Sequence, residues 1–173
     1  IKHDIKECKN QGVDGVVFGM LKPDGSIDKN ICSQLVDLSY PMKTTFHRAF
    51  DMVKDPFESL YDLISIGFDI LLTSGLQNKA EQGSELITEL IDRSDNKIDI
   101  MPGSGINEEN ILQIAKKTKA KNFHVSLRKT IDSQMIFRND FIKMGGVQGI
   151  SEFQSSITDI DRVRKIRSIL RTL

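Results

Sequence analysis

The sequence of 173 residues has no tryptophan, two cysteines, four prolines and no surplus of charge, with 24 Lys plus Arg against 24 Asp plus Glu. Each shortage removes a class of function. Zero net charge argues against a nucleic-acid partner, because phosphate binding draws on an excess of Lys and Arg. It equally weakens a polybasic membrane-surface role. The longest apolar runs fall far short of the roughly 20 residues that a membrane helix needs, so no membrane partner is expected. Cys8 and Cys32 give neither a disulfide framework nor a zinc pattern. No Gly-x-Gly-x-x-Gly follows the first apolar run, which weakens a dinucleotide fold. No initiator Met or signal peptide precedes Ile1, and the expectation is that 173 residues are less than the whole protein.

What is present is an alternation of short β-branched runs with longer helical patterns. The runs are residues 15–19, 44–48, 70–74, 98–101 and 122–126. Their midpoints lie 29, 25, 29 and 24 residues apart, room for one strand, one helix and two short loops. Between them, Asp55-Pro56 supplies an N-cap and a first-turn proline, and Gly67 supplies a left-handed stop. Asp28 and Asn107 are expected to cap two more helices, and a last helix runs from about Thr158 to Leu173. Ile1, Ile5 and Cys8 share one helical face, so the chain opens on a helix. Five strands separated by helices mean a parallel sheet. Polar residues at the C-terminal ends of the later runs favour a (β/α)8 barrel, whose sites are built on that rim. The expected fold is therefore one partial TIM-barrel domain over 1–173, with about five of eight strands. Residues 127–157 break the rhythm and read as a long loop or lid; they include Met144-Gly145-Gly146.

The chemistry concentrates at the strand ends. Side chains alternate along a strand, so if Phe46 and Phe123 face the helices, His47 and His124 face the barrel axis. Two such imidazoles suit acid–base work or metal ligation. His47-Arg48-Ala49-Phe50-Asp51 adds a guanidinium for an oxyanion and a carboxylate that can orient a base or cap a turn. His47, Arg48, Asp51 and His124 are the candidate catalytic set. Gly103-Ser104-Gly105 ahead of a helix lets the backbone approach an anion. With Ser74, Ser126 and Arg128 it forms the candidate anion-binding set. No lysine lies in any of the runs, leaving no Schiff-base nucleophile there. Cys8 and Cys32 fall on apolar helix faces, and the six methionines are scattered, so no metal ligands are assigned.

An ordered series of motifs then resembles a known family. It comprises Gly-Val-Asp-Gly-Val-Val-Phe-Gly (12–19), Asp24-Gly25 with Ile27-Asp28, Phe-His-Arg-Ala-Phe-Asp (46–51) and Leu-Thr-Ser-Gly (72–75). It continues with Ile-Met-Pro-Gly-Ser-Gly-Ile (100–106), Phe-His-Val-Ser (123–126) and Phe-Arg-Asn (137–139). The series resembles the CutC family, named for copper homeostasis. The resemblance implies a cytoplasmic TIM barrel that associates as a homo-oligomer, linked to copper handling or tolerance, with no settled reaction. Family members are longer and carry three further strands before the region aligned here. Cysteines proposed to bind copper(I) in some members sit on the first two of those strands, so copper(I) is a candidate ligand of the intact protein only. Three readings stay open: a CutC-like protein with a strand-end pocket for a small anion, a lyase or isomerase acting on a phosphorylated or carboxylated metabolite with His as acid–base, and a binding scaffold that acts through oligomerisation.

Overall fold

Caps and apolar spacing set the helices where their residues dictate. The computed structural model describes residues 1–139, 141–142 and 151–172. Asp28 accepts from the Ile31 N–H and starts α2 (Lys29–Ser39). Asp55 accepts from the Phe57 and Glu58 N–H groups and starts α3 (Pro56–Ile66), which Gly67 closes in the left-handed conformation. Helix α1 (Lys2–Asn10) precedes the first strand, and α4 (Ser84–Ser94) follows the third. Asn107 does not cap α5 (Ile111–Thr118). Its carboxamide accepts from Glu109 N in a preceding turn, and Asn110 occupies the cap position.

Strands β1 (Gly15–Phe18), β2 (Lys43–Phe46), β3 (Ile70–Thr73) and β4 (Asp99–Pro102) form one parallel sheet in sequence order. Phe18, Phe46, Leu71 and Ile100 stand in register across it and are buried against the helices. Phe68 packs on the rings of Phe18 and Phe46, with centroids 5.2 and 5.4 Å apart. The alternate positions, Val17, Thr45, Ile70, Leu72 and Met101, face the other side, the concave side of a partial barrel. Lys43 joins β2, but at its N-terminal end, where its ammonium pairs with Asp69 at 2.7 Å.

Two expectations change in the second half. The fifth run does not become a full strand among the described residues. It contributes a single parallel bridge from His124 to Gly103, with no strand on its far side to extend the ladder. The segment 127–157 is not wholly irregular either. Its ends form an antiparallel hairpin of β5 (Arg128–Asp132) and β6 (Gln154–Thr158). Met135, Ile136, Phe137 and Phe141 lie exposed between those strands. Met144-Gly145-Gly146 lies outside the described residues.

Helix α6 (Ile160–Leu170) starts on Asp159, not Thr158, and is fastened to the turn before α5 by a bidentate ion pair. Arg162 Nε and Nη2 donate to the two Glu108 oxygens at 2.7 and 2.8 Å, and Nη1 reaches the Arg128 carbonyl at 2.9 Å. The Arg162 hydrogen bonds, then Glu108's own backbone N–H, lower the Glu108 carboxyl from 4.5 to about 2. A depressed carboxylate stabilises the fold fully above its unfolded value and loses that contribution as pH falls through the folded value. Wild type is therefore expected to lose thermal stability between pH 4.5 and about 2. The Tm gap to Glu108→Gln should close over the same window. A gap that stays constant down to about pH 2 would show that the pair contributes nothing to the acid limb.

Candidate functional site

The C-terminal ends of β2 and β3 meet through one carboxylate. His47 leads from β2 into a 3-10 turn, Arg48–Met52, and that turn carries Asp51 back over β3. Asp51 Oδ1 accepts from Thr73 Oγ1 at 2.5 Å, from Ser74 N at 3.0 Å and from Leu76 N at 3.2 Å. Its Oδ2 accepts from Ser74 Oγ at 2.8 Å and from Arg48 Nε at 2.7 Å. The Asp51 side chain is 8% exposed, with all of its acceptor capacity turned to the protein. It is thus an anchor for Arg48 and the β3–α4 loop, and no hydrogen bond links it to either histidine among the described residues.

Arg48 is the outward face of that anchor. Its Nη2 donates to Ser74 Oγ at 2.8 Å, and its side chain is 43% exposed. Two of its five N–H groups are committed to Asp51 and Ser74 among the described residues. His47 Nδ1 accepts from the Ala49 N–H at 3.2 Å. That bond assigns the neutral ring proton to Nε2, making the free edge of His47 a donor rather than a base.

The Gly103–Gly105 turn is more enclosed than an open anion cradle. Gly103 is buried, and a Cβ on it would lie 2.5 Å from Leu72 Cδ1 and 3.2 Å from His124 Cβ, so the missing side chain eases the approach of the 122–126 segment to β4. Ser104 donates to the Asn78 carbonyl at 2.8 Å, and its own carbonyl accepts from Ala80 N at 3.0 Å. The Lys79 methylenes lie against Gly105. Asn78, Lys79 and Ala80 escape sequence reasoning because they sit in a polar loop about 26 residues from the turn they support. Thr73, whose hydroxyl both donates to Asp51 and accepts from Gly75 N at 2.9 Å, was signalled by its place at a strand end and by the Thr73-Ser74-Gly75 turn, a weaker candidate of the Gly103–Gly105 kind.

The sequence-derived residues thus fall into separate places. Arg48, Asp51 and Ser74 form one hydrogen-bonded cluster over β3, whereas the His47 ring lies on the β1 side, against Gly19 and in the trough between α1 and β1. Gly103 and His124 touch through their backbones. Ser126 and Arg128 lie exposed beyond the sheet. With His124 they line a cleft of about 660 Å3 against α6, where Arg167 of the helix and Arg171 just after it add two cations.

Copper(I) favours thiolate and thioether ligands. The buried Cys32 thiol faces the Met20 carbonyl at 3.8 Å, and burial pushes its pKa up, which keeps it protonated. Cys8 is half-buried on α1. Among the described residues, no three His, Cys, Asp or Glu side chains gather as a metal set. Among the described residues, the two thiols are therefore not joined by His, Asp or Glu into a copper(I) site.

A parallel four-stranded α/β sheet in sequence order, with helices between its strands, defines the class: a TIM-barrel-like protein, here an incomplete barrel. The CutC family model matches residues 1–129. The chain belongs to the CutC family. It is 44% identical over 171 residues to a mouse copper homeostasis protein cutC homolog, covering 99% of this chain and 63% of that protein. A human homolog of the same name is 42% identical over 173 residues, and the chain again spans 63% of it. Among solved structures, a CutC protein of Streptococcus agalactiae superposes with a TM-score of 0.67 at 29% identity, covering 71% of this chain and 60% of that one. A KDPGal structure, at 11% identity and a TM-score of 0.55, covers 99% of this chain and 66% of its own, and shares the fold alone.

Proposed function

We propose that this chain serves copper homeostasis as part of a cytoplasmic CutC protein, by recognising a small anionic metabolite at the β2–β3 strand ends rather than by ligating copper with its own thiols. The observation that carries this reading is Arg48, a guanidinium held by Asp51 and Ser74 whose side chain is still 43% exposed. A carboxylate or phosphate takes such a fork bidentately, and the His47 Nε2–H adds a second donor at the same strand end. Cytoplasmic placement is supported by both cysteines being free thiols. The homologs' names bring copper homeostasis to the proposal. Self-association of the intact protein belongs to the same reading.

Titration with inorganic phosphate, followed by NMR, should perturb Arg48, Ser74 and His47 in one saturable process. Arg48→Gln is expected to weaken binding about 10- to 100-fold, the value of a charge-assisted hydrogen bond or two. Equal affinity in the variant, or shifts confined to other surfaces, would remove the site. The second reading, a lyase or isomerase on the same class of metabolite, draws on the His47 tautomer: an Nε2–H beside a bound anion is placed as a general acid.

A further inference from the structure

We propose that the turn after β4 is a second oxyanion subsite, so that the metabolite held by Arg48 carries two anionic groups about 10 Å apart. The first anion rests on the Arg48 reading; the second stands on the β4 turn itself.

The turn after β3 is an anion site whose anion the protein supplies. Gly75 and Leu76 both take left-handed φ values, 69° and 58°. Asp51 accepts from the Ser74 and Leu76 N–H groups, and Thr73 Oγ1 accepts from Gly75 N–H. The turn after β4 has the same backbone. Thr73 and Pro102 are register partners, so Gly75 and Leu76 correspond to Ser104 and Gly105, whose φ values are 83° and 70°. Left-handed backbone is costly for a residue with a Cβ and persists only where contacts hold it. At Ser104 the contacts are its hydroxyl on the Asn78 carbonyl and its carbonyl on the Ala80 N–H, and neither uses a turn amide.

The two turns differ in their acceptors. Pro102 has no hydroxyl to play the part of Thr73. Among the described residues, the N–H groups of Ser104, Gly105 and Ile106 meet no acceptor. Ile106 is 5% exposed, and a buried N–H is almost always paired. Each of these strand ends is covered by the segment that follows the preceding strand. Over β3 that segment brings the Asp51 carboxylate. Over β4 it brings Lys79, whose methylenes lie against Gly105 and whose ammonium pairs with no carboxylate among the described residues. The backbone is kept while the charge is reversed. Successive turn amides beside a cation favour an anion, and here it must come with the ligand. Gly105 is exposed to receive it, and α5 begins only at Ile111, so these amides belong to the turn and not to a helix end. Arg48 follows β2 and this turn follows β4, two strand spacings away, or about 10 Å. A phosphate or carboxylate at each place describes an elongated di-anion, such as a phosphorylated carboxylic acid.

An NMR titration of this protein with inorganic phosphate reads both subsites. The Ser104 and Gly105 amides should shift in a saturable process that survives Arg48→Gln. Lys79→Glu, a change at an exposed side chain, should weaken that process at least 10-fold. A long phosphonocarboxylate, 6-phosphonohexanoate, should move both sets of amides with one midpoint. It should bind at least 10-fold more tightly than phosphonoacetate, which is too short to span them, and lose that advantage in either variant. Shifts at Ser104 and Gly105 without any at Arg48 and Ser74 would overturn the Arg48 reading and the paired ligand with it. Shifts at Arg48 and Ser74 alone, shifts at the β4 turn indifferent to Lys79→Glu, or equal affinity for the two phosphonates would overturn this proposal.

Discussion

Asp51→Ala is expected to destabilise the chain by about 3 kcal/mol, the cost of leaving several buried donors without the charged acceptor they share. The Arg48 ion pair contributes little of this, since a guanidinium open to solvent is well screened. The loss comes from Thr73 Oγ1, Ser74 N and Leu76 N, which converge on one carboxylate beneath the β3–α4 loop, while the Ser74 hydroxyl keeps the Gln77 carbonyl as an acceptor. Thr73 and Ser74 are fully buried, so water cannot replace what Asp51 supplies. For a chain of this size that loss corresponds to a fall in Tm of roughly 6 to 12 °C. Urea denaturation should show the midpoint moving with an unchanged slope, and phosphate affinity should fall with it because Arg48 loses its anchor. A loss below about 1 kcal/mol would mean that the loop is held by its other contacts.

Gly83→Ala is expected to cost as much or more, about 3 kcal/mol with displacement of the first turn of α4. A Cβ on Gly83 would lie 2.0 Å from the Ser74 carbonyl oxygen and 2.8 Å from Gly75 Cα, both backbone atoms that no rotamer change can move aside. The backbone of Gly83 is otherwise ordinary, with φ −89°, so the penalty is one of close approach alone. Relief requires α4 to retreat from the loop that presents Ser74. The substitution should therefore lower both Tm and phosphate affinity. A Tm within about 2 °C of wild type would show that α4 and the loop separate without cost.

These two expectations act on the same loop, and the sequence pointed to only part of it. Ser74 and Asp51 stood out as polar residues at strand ends, in a pattern that predicts rim chemistry. That Asp51 serves Ser74 rather than a histidine follows from the 3-10 turn folding it back over β3, a reversal with no periodic signature. His47 was legible as a strand-end imidazole, but its proton assignment depends on the Ala49 N–H that it caps. The enclosure of Gly103–Gly105 by residues 78–80 was invisible for the same reason, as loops carry contacts without carrying a period. Ser126 and Arg128 were grouped with that turn on a shared strand-end rule. The segment that carries them, however, makes only one bridge to β4 and then turns into a hairpin.

By itself the sequence determined the α/β alternation, the parallel sheet, the caps at Asp28 and Asp55 and the membership of its motif series, because these rest on local spacing and local hydrogen bonds. The tertiary structure decided which strand-end residues share atoms, how His47 is protonated, and where the sheet stops. Those outcomes depend on backbone atoms brought together across tens of residues. An edge is likewise a property of what pairs beside a strand, which no window of sequence along that strand contains.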